Sequence, residues 1–346
     1  MGYQFSQEEF QGVLQNLRRR YRLFAPVLKK GEGRFTDTDV VRYDEIASLE
    51  ELELDKKSDY SFKEILTPLS QTLFFFTENS VKEADTDERE VIVFLRSCDR
   101  NAVLRLDQIY LKNGNEPDPF YAKIRSRLKF ALIGCRHAFE NCFCVDMGTN
   151  QAQDYSFSLD LLTDEKGKRQ FLCDLKDSSL QYAFDGIGME AGTEAEAKPS
   201  FAEETGVHVE IPEEIPLSIY KDPLWDEYTA RCINCGRCNF VCPTCTCFTM
   251  QDIYYSDNGK VGERRRVAAS CMVDRYTDVA GGGSYRKTNG ERMRFKVLHK
   301  ISDFRKRFGY QMCVGCGRCD DVCPEYISFS TCVNKVAKAV RKEEKA

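Results

Sequence analysis

No stretch of this chain approaches about 18 uninterrupted apolar residues, so no membrane span is expected. The apolar run Leu73-Phe74-Phe75-Phe76 is only strand-sized. The N-terminus, MGYQFSQEEF, has no basic segment followed by an apolar one, so no signal peptide is expected. There are only three histidines (His137, His208 and His299), which argues against a histidine-rich metal site. Positive charge is not in excess: 50 Lys and Arg against 55 Asp and Glu leave a formal charge of −5, no footprint for nucleic acid. A dinucleotide fingerprint is missing too. Gly186, Gly188 and Gly192 spell G-x-G-x-x-x-G, and no strand-to-helix context frames them.

What the chain has in quantity is cysteine, 17 residues of it. With no export signal, so many thiols imply a reducing, cytoplasmic setting in which they serve as metal ligands. Two runs near the C-terminus repeat one pattern: Cys232-Ile-Asn-Cys235-Gly-Arg-Cys238-Asn-Phe-Val-Cys242-Pro243 and Cys313-Val-Gly-Cys316-Gly-Arg-Cys319-Asp-Asp-Val-Cys323-Pro324. The spacing C-x2-C-x2-C-x3-C-P is that of proteins holding two [4Fe–4S] cubanes. Three closely spaced thiolates can wrap one face of a cubane, and the proline turns the fourth cysteine toward the other cluster. The expected ligand sets are therefore crossed: Cys232, Cys235, Cys238 with Cys323, and Cys313, Cys316, Cys319 with Cys242. A lone CxxC leaves zinc, redox thiols and disulfides open. Two full copies ending in Cys-Pro favour clusters, with zinc as the remaining alternative.

At 346 residues the chain has room for two domains, and its 42% hydrophobic and 12% aromatic content suits a globular protein. Ser6-Gln-Glu-Glu9 is a capping box, and Phe10, Val13, Leu14, Leu17 and Tyr21 follow at helical spacing. An amphipathic helix is expected there, ending near Ala25-Pro26, with its apolar stripe in the core rather than in a partner groove. Glu90 to Leu95 and Phe130 to Ile133 read as buried strands around a helix from Asn101 to Leu111, a parallel βαβ unit. Asp154 to Leu162 and Arg169 to Leu175 flank a turn-like Asp164-Glu-Lys-Gly167 and read as an antiparallel hairpin.

The expected fold class is α+β. An N-terminal α/β domain (1–185) with a small, mainly parallel sheet is followed by a Gly-, Ala-, Glu- and Pro-rich linker (186–225). A mostly helical, ferredoxin-like two-cluster domain (226–346) completes the chain, and its last segment from Val333 is expected to be a solvent-exposed helix.

Four more cysteines fall in the first domain. Cys98 and Cys135 follow the two predicted parallel strands, at the edge where α/β proteins build their sites. Cys142 and Cys144 lie further along the second loop. Four thiolates can converge there on a third [4Fe–4S] cluster; zinc or plain buried cysteines are the alternatives. The polar surroundings of Cys142-Phe-Cys144 argue against burial as their reason. Cys173, on a predicted strand, reads as a core residue. Cys245, Cys247, Cys271 and Cys332 read as packing residues or neighbours of a cluster rather than ligands.

Several segments together resemble the iron–sulfur A subunits of anaerobic sulfite reductases. They are Phe94-Leu-Arg-Ser-Cys-Asp-Arg100, Cys142-Phe-Cys-Val-Asp-Met-Gly-Thr149, Cys242-Pro-Thr-Cys-Thr-Cys-Phe248, Ala280-Gly-Gly-Gly283 and Arg292 to Lys300, besides the second cysteine run. The similarity extends over nearly the whole chain, including Phe24-Ala-Pro26 and Gly33 to Asp39. Beta subunits of cytoplasmic sulfhydrogenases share the cysteine constellations and are the alternative; the N-terminal segment and the length favour the sulfite enzyme. The resemblance implies a cytoplasmic complex in which a flavin subunit oxidises NADH, this chain relays electrons, and a sirohaem subunit reduces sulfite to sulfide. It implies no catalytic residues in this chain, no membrane and no nucleic acid, since the cofactors carry the chemistry.

The basic residues Arg264, Arg265, Arg266, Arg292, Arg294 and Lys296 lie between the two runs. Near a cluster they raise its potential; on a solvated surface they do nothing to it; on a docking face they guide a partner subunit. A colourless, zinc-stabilised interaction module is the competing class, separated from an electron carrier by iron and acid-labile sulfide.

Overall fold

The computed structural model describes residues 1–33, 37–163, 169–190 and 197–344. The chain packs into two compact units: 1–62, 87–139 and 148–205 form the first, and 63–86, 140–147 and 206–346 the second. Two segments of the N-terminal half, 63–86 and 140–147, thus belong to the unit that carries the cysteine runs.

The first unit opens with a short strand, Gly2–Ser6, and the helix Gln7–Arg18. The capping box is present: Ser6 Oγ accepts from the Glu9 amide at 3.3 Å, and Glu9 Oε2 accepts from the Ser6 amide at 2.7 Å. Phe10, Val13, Leu14 and Leu17 are buried on one face, as the spacing predicts. The helix stops at Arg18, well before the expected Ala25-Pro26. Tyr21–Lys29 is a strand in which Tyr21, Leu23, Ala25 and Val27 point inward, a period-two pattern that the helical reading overran. Pro26 is tolerated because parallel pairing on that side runs only from Tyr21 to Phe24.

Among the described residues the sheet has eight strands, in the order Met189–Glu190, Gly2–Ser6, Arg169–Asp174, Phe157–Thr163, Leu128–Ile133, Glu90–Arg96, Tyr21–Lys29 and Val40–Glu45. Its centre, from Tyr21–Lys29 to Phe157–Thr163, is parallel and its flanks are antiparallel. The sheet is therefore larger and more mixed than the small, mainly parallel one expected, because the N-terminal strand and the hairpin extend it. The βαβ unit is present, with the helix Ser97–Leu111 leading back to Leu128–Ile133. The hairpin pairs Asp160 with Leu172 and Thr163 with Arg169, while its turn at 164–167 lies outside the described residues. Cys173 is fully buried there, packed with Phe5, Phe10, Phe94, Phe157 and Phe171. The glycine segment serves packing: Gly188 has φ +74° and a Cβ there would collide with the Phe5 ring. Gly192 lies outside the described residues.

The second unit holds the cysteine runs and is less helical than expected. Ser70–Phe76 and Val81–Glu83 pair with Phe248–Tyr254 and Gly262–Ala268 in a four-stranded antiparallel sheet. Much of the long insertion between the runs is thus a hairpin whose partner comes from far upstream. The C-terminal helix Phe329–Glu343 is capped by Ser328, whose Oγ accepts from the Thr331 amide at 3.0 Å. It is not solvent-exposed throughout: Phe329, Cys332, Val333, Val336, Ala337 and Val340 form a buried face. No described helix is long and apolar enough to cross a membrane.

Candidate metal centre

The two cysteine runs have the same backbone. In the first, Asn234 and Gly236 are left-handed, at φ +60° and +72°, and the helix Arg237–Phe240 follows. In the second, Gly315 and Gly317 are left-handed, at +62° and +70°, and Arg318–Asp321 follows. Alternating left-handed residues curl a short chain into a tight loop, and glycine or asparagine accepts that geometry at little cost. At Gly236 a Cβ would lie 2.8 Å from Val273 Cγ2, and at Gly315 it would meet the Phe143 backbone at 2.5 Å. The second loop is seated on 140–147: Phe143 N donates to Gly315 O at 2.8 Å, and Asn141 Nδ2 donates to Asp321 Oδ1 at 2.7 Å.

The thiols gather across the sequence. Cys232, Cys235, Cys238 and Cys323 line one cavity, together with Cys319 of the second run and walls of Met272, Met293, Ile327 and Phe329. Burial pushes up the thiols of Cys313 and Cys319, that of Cys313 to about 11, and the proximity of Cys242 adds to the rise of both. These donor sets are mainly soft sulfur, which suits an iron–sulfur cluster.

Buried lysines surround them. Lys300 is 3% exposed; its Nζ lies 3.4 Å from Cys242 Sγ and 2.8 Å from Thr244 Oγ1. Burial works against its charge, yet Cys242, Cys245 and Cys313 hold its pKa above the ordinary lysine value. Lys296 behaves alike, its burial outweighed by Cys238 and Cys319. Lys63 Nζ donates to the carbonyls of Asn239 and Cys245 at 3.3 and 3.0 Å.

Of the six basic residues singled out in the sequence, Lys296 alone is held this way by cysteine sulfurs. Arg264 pairs with Asp252 at 2.6 Å and Arg265 with Glu263, on the exposed hairpin. Arg266 donates to Gln71 at 2.9 Å, Arg292 pairs with Asp274 at 2.5 Å, and Arg294 donates to Tyr220 O at 2.6 Å. Lys63 and Lys300 escaped the sequence reading. For Lys300 a signal existed in the four-residue spacing that runs from Arg292 through Lys296 to Lys300.

In the first unit, Cys98 lies in the opening turn of Ser97–Leu111 and Cys135 two residues after Leu128–Ile133. The strands before them are parallel neighbours, with Arg96 opposite Ile133. In the second unit, Cys142 and Cys144 are 5% and 7% exposed, so the argument from a polar, exposed loop does not hold. Phe143 is the anchor, stacked on Phe329 at 6.5 Å.

A second cavity, of about 330 Å³, is lined by Cys245, Cys247 and Cys271 with Tyr276, His299 and Lys300. Cys271 donates to Cys247 and lowers its pKa, against burial and with help from Lys300; Cys271 itself is correspondingly raised. Cys245 does the same for Cys242. Cys332 is buried, and burial pushes its thiol up to about 12.

Residues 231–327 match the family of 4Fe-4S dicluster domains. The cofactors of this region are accordingly [4Fe–4S] clusters. No solved structure matches the chain. Sulfhydrogenase 2 subunit beta of Pyrococcus furiosus is 30% identical over 321 residues, spanning 89% of this chain and 92% of that protein. The chain belongs to the family of sulfhydrogenase beta subunits.

Proposed function

We propose that this chain is the electron-transfer subunit of a cytoplasmic oxidoreductase complex, with no catalytic site of its own. When bound, [4Fe–4S] clusters supply one-electron redox chemistry. The protein's part is to hold, space and shield them. One cluster is assigned to Cys232, Cys235, Cys238 and Cys323, a second to Cys313, Cys316, Cys319 and Cys242. The observation that carries the reading is that Cys323, from the end of the second run, lines the cavity of Cys232, Cys235 and Cys238, with Cys319 of the second run also on its wall. A third cluster is proposed for Cys98, Cys135, Cys142 and Cys144 on their places in the sequence.

The partners are proposed to be a flavin subunit that takes electrons from NADH and a catalytic subunit that receives them. Similarity to a sulfhydrogenase beta subunit over most of the chain favours a hydrogenase as the catalytic subunit. A second reading, a sirohaem subunit reducing sulfite to sulfide, is supported by the N-terminal resemblance at Phe24-Ala-Pro26 and Gly33 to Asp39. Anaerobic co-purification separates them. A nickel–iron subunit in the complex supports the first, sirohaem supports the second, and a colourless chain free of iron overturns both.

A further inference from the structure

The helix Asn289–Leu298 and the π turn His299–Asp303 that continues it carry Arg292, Lys296 and Lys300 four residues apart. All three are buried, at 5%, 4% and 3% exposure. On a helix that spacing stacks side chains along one face, which a packed helix ordinarily fills with apolar groups. Burying an ammonium is costly unless an anion meets it. Arg292 has the Asp274 carboxylate at 2.5 Å. Among the described residues neither lysine forms a salt bridge with a carboxylate. Their anions are sulfurs. Lys300 lies 3.4 Å from Cys242 Sγ, and Lys296 lines the same cavity as Cys238 of the first run and Cys319 of the second.

Resting on the ligand assignment above, we propose that Lys300 and Lys296 are built-in counter-cations of the cluster pair. Lys300 serves the cluster completed by Cys242, and Lys296 serves both. A fixed positive charge beside a ligating thiolate favours the state carrying one more electron, so each lysine raises the reduction potential of what it touches. Glu325 lines the cavity of the first run, and a second opposing charge is Asp320, beside Cys319 at 3.4 Å. Its carboxylate is occupied by the Phe329 amide and the Ser328 hydroxyl, at 2.7 and 2.9 Å, so it is tied to the fold rather than turned on the cluster alone.

The test is anaerobic reductive titration of the full chain, followed by paramagnetic resonance, with iron and sulfide analysis of each variant. Lys300→Met is expected to lower the midpoint potential of one C-terminal cluster only, and Lys296→Met to lower both. Lys300→Arg, which keeps the charge, is expected to stay near the parent value. Unchanged potentials in both Met variants overturn the proposal, as does a fall that Arg fails to rescue. Should Lys300→Met shed iron, Lys300→Gln provides a second uncharged variant. Iron loss by both with retention in Lys300→Arg supports the counter-cation role, and iron loss in all three overturns it. A parent protein without cluster signals would instead remove the electron-transfer reading itself.

Discussion

Phe143 and Gly315 are locked backbone to backbone: the Phe143 amide donates to the Gly315 carbonyl at 2.8 Å, and there is no room between them for a β-carbon. Gly315 sits at φ +62°, where a side chain costs about 1–2 kcal/mol before any collision. Gly315→Ala is therefore expected to cost more than strain alone and to displace the loop holding Cys313 and Cys316. Gly309, at φ +86° with open space around it, is the control: Gly309→Ala meets the strain but no clash. Iron content and thermal unfolding under anaerobic conditions read the difference. Equal loss in the two variants contradicts the close approach.

Iron analysis tests the number of clusters. Three cubanes with four thiolates each give about twelve iron and twelve sulfide per chain. Cys98→Ser or Cys142→Ser is expected to remove about four iron while the resonance of the C-terminal pair persists. A parent value near eight removes the third cluster, and full iron in both variants removes its ligand assignment.

Cys247 offers a pH-dependent readout. The hydrogen bond from Cys271 stabilises the Cys247 thiolate; burial opposes this and Lys300 reinforces it. A lowered pKa means that alkylation of Cys247 is already fast at neutral pH and falls only as the solution is acidified. Cys271→Ala removes the donor, so the rise in alkylation shifts to higher pH. Mass spectrometry of iodoacetamide-treated protein across a pH series checks this. A Cys247 profile unaffected by Cys271→Ala rules out the pairing.

The sequence made the cysteine loops legible because their geometry is local: the four cysteines and the closing proline fall within twelve residues in each run. The βαβ unit was legible for a similar reason, since Glu90–Arg96 and Leu128–Ile133 carry the continuous apolar runs 91–95 and 130–133. Tyr21–Lys29 was misread because Tyr21 continues the helical stripe of Phe10 to Leu17 and thereby hides the alternation beyond it. The second sheet depends on pairing Phe74 with Arg264, a contact that no local pattern announces. Lys63 reaches the Cys245 carbonyl from an equally remote place. Helical spacing was enough to set Lys300 on the face of Lys296, a signal the sequence reading passed over, and only the folded chain shows that face turned to sulfur.

Crossed ligation gives the sharpest test. Cys242 ends the first run, yet it is assigned to the cluster of the second, beside Lys300. Cys242→Ala is expected to spare the site of Cys232, Cys235 and Cys238 and to alter the resonance of the cluster held by Cys313, Cys316 and Cys319. Cys323→Ala does the reverse, because Cys323 lines the cavity of the first run. Each substitution breaks a tie between distant parts of the chain, so each also lowers the unfolding temperature of the whole second unit, since metal binding and folding are coupled. Reduced, anaerobic samples of both variants, compared by resonance spectrum and iron content, report which cluster lost its fourth thiolate. If each substitution disturbs only the cluster of its own run, the runs are independent sites and the crossed assignment is wrong.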